Sequence, residues 1–162
     1  MAAYVKFDGI DGASTDENHP KWTLIEAISF PISRSIPSGA KDFQRARGET
    51  SLGDIVLVRE LDKASVKLAE ACATGKFFKS VEIHMTTDVK GKNEPYLTIK
   101  LSDVIISSYS FHGVSSGNPL PSEELSLNYS EIEWTYSVIN PKTGDVDGQV
   151  PAKYSPGQNK AG

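Results

Sequence analysis

Between Ser122 and Val138 the apolar side chains fall first on odd positions, Leu125, Leu127 and Tyr129, and then on even ones, Ile132, Trp134, Tyr136 and Val138. Side chains of a strand alternate between faces. A strand with this change of phase therefore carries a bulge near Ser130–Glu131 or passes from one sheet to another there. Either arrangement belongs to a barrel or a tightly curled sandwich, and a curled antiparallel sheet leaves edges on which another chain can pair.

The same reading extends along the chain. Tyr4–Asp8 is predicted as a short strand with Val5 and Phe7 on one face, followed by turn chemistry at Asp8-Gly9 and Asp11-Gly12. From Trp22 to Ser33 the even positions Trp22, Leu24, Ile28, Phe30 and Ile32 are apolar, which predicts a strand burying that face. Pro31 makes it an edge or bulged strand. Residues 36–51 break the pattern with Pro37, Gly39, Gly48 and a cluster of Lys41, Asp42, Arg45, Arg47 and Glu49, and read as a long protruding loop.

Gly53–Leu61 resumes as a strand whose run Ile55-Val56-Leu57-Val58 predicts burial on both faces. Leu61, Ala64, Leu68 and Cys72 then recur at helical spacing, with Ser65 as N-cap and Gly75 as stop, so Ser65–Thr74 is predicted as the one helix. Lys79–Val89 alternates with Val81, Ile83 and Met85 inward and Glu82, His84 and Thr86 outward. Lys90–Pro95 is a turn, and the return runs from Leu97 to Phe111, making a long hairpin. A Gly/Ser/Pro loop at Gly113–Ser122 leads into the phase-switching strand. Asn140-Pro141 opens a polar tail, residues 141–162, with at most a short strand near Val150–Tyr154.

Composition narrows the function classes. The chain has 162 residues, 38% of them hydrophobic, which fits a single β-barrel domain over residues 1–162 with a real core. Its net charge of −4 supplies no positive field for phosphate backbones or anionic lipid, so nucleic acid is not an expected partner. One cysteine, Cys72, excludes an intrachain disulfide and fits assembly in the cytoplasm. The N-terminus MAAYVKFDGIDG shows no signal peptide, and no apolar run is long enough for membrane insertion. The sequon Asn128-Tyr129-Ser130 is then a chance match.

Catalytic and metal chemistry finds little support. His19, His84 and His112 are dispersed, with no carboxylate or thiol at metal-ligand spacing, so no metal site and no cofactor are expected. The calcium-loop echo at Asp8–Gly12 fails at its twelfth position, His19. Cys72 sits near a helix C-terminus, where the dipole disfavours a thiolate, and reads as structural. No nucleophile elbow, phosphate loop or dinucleotide fingerprint occurs. Glu123, Glu124, Glu131 and Glu133 read as solvation of an outward strand face rather than an acid–base pair. The isolated Phe43 among loop charges points to an arm that docks on another protein.

The order of segments ThrLeuIleGluAlaIleSerPhe, LeuValArgGluLeuAspLysAlaSer, AlaCysAlaThrGlyLys, ThrIleLysLeuSerAspValIleIleSerSerTyrSer and LeuSerLeuAsnTyrSerGluIleGluTrpThrTyr closely resembles the haemolysin-coregulated protein family, the tube subunits of bacterial type VI secretion systems. The resemblance spans residues 3–154. It implies a mainly β fold, a curled two-sheet antiparallel β-barrel with one α-helix, assembled as a homo-hexamer whose rings stack into a hollow tube. Such a tube works with sheath, spike and effector proteins. It is assembled in the bacterial cytoplasm, is exported to the medium or a target cell without a signal peptide, and catalyses no reaction. By position in the family, Phe43, Arg45, Arg47 and Glu49 are candidate contacts between protomers. Relatives commonly end in a Lys-x-Gly-Trp-Asp-like segment, whereas here Lys153-Tyr154 is followed by Ser155-Pro156-Gly157. A phage or tailocin tail-tube protein and a lipocalin-like small-ligand barrel are the alternatives.

Overall fold

The computed structural model describes residues 1–39, 41–46, 48–117, 120–156 and 160–161. In chain order its elements are β1 (Ala2–Phe7), β2 (Thr23–Ile25), β3 (Ala27–Ser29), β4 (Ile32–Arg34), α1 (Asp42–Ala46), β5 (Thr50–Leu52), β6 (Ile55–Glu60), α2 (Ser65–Thr74), β7 (Phe77–Val89), β8 (Lys92–His112), β9 (Ser122–Asn128), β10 (Glu131–Ile139), β11 (Val146–Ser155) and β12 (Lys160–Ala161).

All pairings are antiparallel. From β2 the ladders run through β1, β7, β8, β9 and β6 to β3. That path returns to its origin, because β2 and β3 are two halves of one segment hinged at Glu26, whose N–H donates to the Val58 carbonyl at 2.8 Å. The sheet is thus curled upon itself around Val5, Phe7, Leu57, Ile83, Leu101 and Leu125, all buried. β10, β11 and β12 continue outward from the N-terminal half of β8, while β4 and β5 form a separate two-stranded sheet.

The change of phase at Tyr129–Glu131 has its explanation in β8. The register shift of β9 lies beyond this point, between Ile106 and Ser108 of β8. At their junction β9 and β10 face the same strand in one register, Ile105 opposite Asn128 and Ser102 opposite Glu131, so no residue is inserted between them. Instead β8 switches phase at the same place: its buried residues run Ile99 and Leu101, then Val104 and Ile106. Asp103, at φ 49, turns the backbone there. Ser130 fastens the corner, its N–H donating to the Ser102 carbonyl and its hydroxyl to the Asp103 carboxylate, at 3.0 and 3.1 Å. Both strands fold over one edge together.

Helix α2 packs against β8 and buries Leu68 and Ala71. Its first turn differs from the capping read in the sequence, whereas its glycine stop agrees with it. Ser65 is already helical; its hydroxyl accepts the Asp62 N–H at 2.9 Å, and Asp62 in turn accepts the Ala64 N–H at 2.8 Å. At the other end Gly75 sits in the left-handed region at φ 66 and its N–H reaches the Ala71 and Cys72 carbonyls. A Cβ there would meet nothing nearer than Ile105 Cδ1 at 4.0 Å, so a substitution is opposed by backbone conformation alone. Gly75→Ala is expected to lower stability by about 1–2 kcal/mol in urea denaturation, with an unchanged midpoint as the contrary result.

Several other expectations are corrected. In β2 the buried residues are Thr23 and Ile25, while Leu24, assigned inward from the alternation, is 55% exposed. Of the apolar run in β6, Ile55 and Leu57 are fully buried; Val56 and Val58, on the opposite face, are half-buried. Within residues 36–51 the chain forms α1, a helix beyond the one expected, and most of β5. The segment after Pro141 is more than a tail with a short strand: β11 has ten residues, paired along β10. A reversal opens it, with the Asn140 side chain accepting the Lys142 N–H at 2.8 Å.

Candidate assembly surface

Pro31 ends the run of residues 23–30 in the curled sheet, since it cannot donate to a ladder. The chain leaves as an arm, Ile32–Leu52, made of the β4–β5 hairpin with α1 between its strands. Close approach fastens the arm. The Ser35 N–H donates to the Glu49 carbonyl at 2.8 Å, and a Cβ on Gly48 would lie 1.8 Å from the Ser35 carbonyl oxygen, so only glycine fits there. At the arm's base the Gly53 N–H donates to the Pro31 carbonyl at 3.0 Å.

Of the candidate contact residues, Phe43 and Arg45 lie on α1. Phe43 is 60% exposed, and the Arg45 guanidinium stands 3.8 Å from the Asp42 carboxylate, an exposed pair of little energetic weight. Glu49 is exposed and joins the arm's return strand through its backbone. Arg47 lies outside the described residues. Sequence reasoning missed the arm's other apolar side chains: Ile32 and Ile36 are each more than half exposed, as is Leu24 on the adjoining segment.

A second apolar surface lies on β10 and β11. Trp134 stands opposite Ile99 and Ala152, and Tyr136 opposite Leu97 and Val150. The rows that fill the core therefore run on beyond the body, where Tyr136, Val138 and Val150 lose their cover. The other face of the same sheet is built differently. Lys6, Glu82, Lys100, Glu133 and Lys153 stand side by side across β1, β7, β8, β10 and β11, an uninterrupted row of alternating sign. Opposite charges directly across a ladder support the sheet and keep that face in water. One face of the extension is apolar and the other is charged.

Beneath these surfaces lies an ionic network invisible in the periodicity. Arg59 on β6 and Glu123 on β9 are side by side in the ladder, both fully buried, with Nε 2.8 Å from Oε1. Glu123, read as solvated, is a core residue. Arg59 Nη2 also bonds Asp62, and the Tyr109 hydroxyl donates to Glu123 Oε2. Burial first, and then the bond to the neighbouring carboxylate, pushes the Tyr109 phenol well above its usual range. Tyr129, whose hydroxyl donates to the Gly53 carbonyl at 3.2 Å, is pushed up to about 12 by burial and by the charge of Asp54. The remaining carboxylates behave more as expected: Glu131 accepts the Ser155 hydroxyl at 2.9 Å, and Glu124 is exposed. Cys72 is half-buried against the core.

The histidines are not dispersed in space. His112 is exposed at the end of β8, but His19 and His84 touch, Nε2 to Nδ1 at 2.9 Å. Their sequence separation hides this: His84 on β7 stands directly across from Tyr4 on β1, and Trp22, just before β2, packs its ring against both imidazoles. None of the described helices is long and apolar enough to cross a membrane.

Comparison with known proteins agrees with this architecture. Residues 4–136 match the family described as type VI secretion system effector, Hcp. Protein hcp1 of Pseudomonas aeruginosa is 28% identical over 152 residues, covering 93% of this chain and 91% of that protein. Among solved structures, one described as a type six secretion system protein superposes with a TM-score of 0.91 at 28% identity, covering 100% of this chain and 99% of that one. A type VI secretion system effector from Yersinia pestis gives a TM-score of 0.73 at 27% identity, covering 94% and 98%. Hcp1 from Salmonella typhimurium shares the fold, with a TM-score of 0.77 at 24% identity and coverage of 99% and 97%. The family match ends inside β10, so β11 lies beyond it.

Proposed function

Because the chain belongs to the Hcp family of type VI secretion system effectors, we propose that it is a structural tube subunit, closing with copies of itself into hexameric rings that stack into a hollow conduit for effector proteins. It leaves the cell with that conduit and needs no catalytic chemistry of its own. Its other partners are the sheath and spike of the same apparatus.

The observation that carries this reading is the arm. A short hairpin and helix present Ile32, Ile36 and Phe43 to solvent, each more than half exposed. A lone molecule leaves that apolar surface in water; a neighbour covers it. The apolar face of β10–β11 offers a second area for contact, and the open strand edges supply unpaired backbone groups. The charge-alternating face is the one suited to stay solvated. Phe43, Arg45, Arg47 and Glu49 remain our assignment for protomer contacts.

The deciding experiment is size-exclusion chromatography with light scattering, followed by negative-stain imaging of the same peak. Annular particles of six subunits are expected. A strict monomer at high concentration, with only separate globules on the grid, defeats the proposal.

A further inference from the structure

Residues 9–22 are fastened to the sheet by four side chains in series. The Asp16 carboxylate lies 2.9 Å from His19 Nδ1, His19 Nε2 lies 2.9 Å from His84 Nδ1, and His84 Nε2 lies 2.7 Å from Glu82 Oε1. An ionised carboxylate only accepts, so each end of the series needs an imidazole N–H, and the nitrogen-to-nitrogen contact in the middle needs one more. Three bonds thus require three N–H protons. Two neutral imidazoles hold two.

The surroundings favour the third. His19 is 1% exposed, with the Tyr4 ring stacked on it at 4.4 Å and the Trp22 ring edge-on at 5.1 Å. Asp16 is fixed by Asn93 from β8, whose Nδ2 donates to Oδ2 at 3.2 Å. Bonds from His19 and His84 hold the Asp16 and Glu82 carboxyls below their usual range. The remaining charged neighbours are Lys100 on β8, directly across from Glu82, and Lys6 on β1, which is bound to Asp11 at 2.9 Å. Burial pushes the Tyr4 phenol up, aided by Asp16, so it stays neutral. Two carboxylates bracket the imidazole pair, and Lys100, standing between Glu82 and Glu133, opposes them.

We propose that Asp16, His19, His84 and Glu82 form a proton-operated latch: one extra proton shared by the two imidazoles closes residues 9–22 onto β7, and its loss opens one link. The same segment supplies Ala13 and Ser14 to a groove of about 420 Å³ lined also by Leu24, Ile25, Leu61 and Leu120 and edged by Glu26, Glu60 and Asp62. The latch therefore sets the shape of a recess beside the exposed Leu24, next to the surface assigned to assembly.

The sign follows from the proton count. The third proton is present at low pH, and the bond it makes is lost when it leaves as pH rises. At the acid end both carboxylates, with folded values below their unfolded ones, contribute stability above the ordinary carboxylate range that is lost as pH falls through their folded values. The latch is closed between those limits.

Histidine-selective 15N NMR of the full chain from pH 5 to 9 tests it, with amide exchange of residues 10–22 measured alongside and corrected for intrinsic pH dependence. Three N–H protons on the His19–His84 pair are expected at pH 5 and two at pH 9, lost in one transition seen by both rings. Exchange is expected to accelerate at least tenfold across that transition. His84→Gln should abolish the pH dependence of exchange. Glu82→Gln, which keeps the shape and removes an acceptor charge, should move the transition to lower pH. Two N–H protons throughout, exchange that does not change with pH, or a transition unmoved by Glu82→Gln overturns the proposal.

Discussion

Replacing Arg59 by methionine is expected to destabilise the protein by about 3–5 kcal/mol, because it strands the Glu123 carboxylate in the core with a single tyrosine donor. Methionine occupies much of the volume, so the loss reflects an uncompensated charge rather than a cavity. The companion change separates the two causes. With Arg59→Met and Glu123→Leu together, no buried charge lacks a partner, and most of the lost stability should return, since a buried pair offsets its own desolvation only in part. Asp62, at the edge of the network, keeps solvent contact and tolerates the loss of its guanidinium. Urea denaturation of the wild type, both single variants and the double variant completes the cycle. A single-variant loss below about 1 kcal/mol, or a double variant less stable than Arg59→Met, contradicts this account of the core.

That network also marks the limit of what alternation can reveal. Arg59 and Glu123 occupy inward positions of β6 and β9, yet each looks polar, so a pattern built from apolar residues assigns them to solvent. Only their pairing across the ladder makes burial tolerable, and pairing is a property of two distant segments. Leu24 fails in the opposite sense. It is apolar and points outward, because an apolar position records that something covers it without recording whether the cover is the chain's own core. The helix Ser65–Thr74 and the long hairpin were legible because their signals are local, helical spacing ended by glycine and alternation on both sides of Gly91. The turn itself is only Lys90–Gly91, and residues 92–95, read as turn, already pair in β8. The corner at Asp103 and Ser130 was legible from one strand alone, although its cause lies in both. α1 was not, since five residues rich in charge carry no periodicity long enough to read. Phe43 stands out in the sequence as one aromatic among charges, whereas Ile32 falls within an alternating strand pattern and Ile36 beside a proline, so neither carries a local sign of exposure.

Converting the arm's apolar side chains to acids should abolish assembly while leaving the fold intact. Ile32→Asp combined with Phe43→Asp changes two residues more than half exposed in the single chain, where surface substitutions ordinarily stay within about 0.5 kcal/mol. Strand content by circular dichroism and the urea midpoint should therefore match the wild type. At a protomer contact the same residues count heavily. Burying a large aliphatic or aromatic side chain is worth about 1.5–3 kcal/mol, so losing both weakens each contact by roughly two to four powers of ten, before the desolvation of two carboxylates is added. In a closed ring every copy makes the contact, so the weakening recurs around the circle and a mixture of partial rings is not expected; light scattering should report monomers. Arg45→Ala, which removes one exposed charge, should leave rings largely intact. If the double arm variant keeps the wild-type mass while Tyr136→Asp or Val150→Asp dissociates the particle, the contact lies on the β10–β11 face instead, and the assignment of Phe43 and its neighbours is wrong.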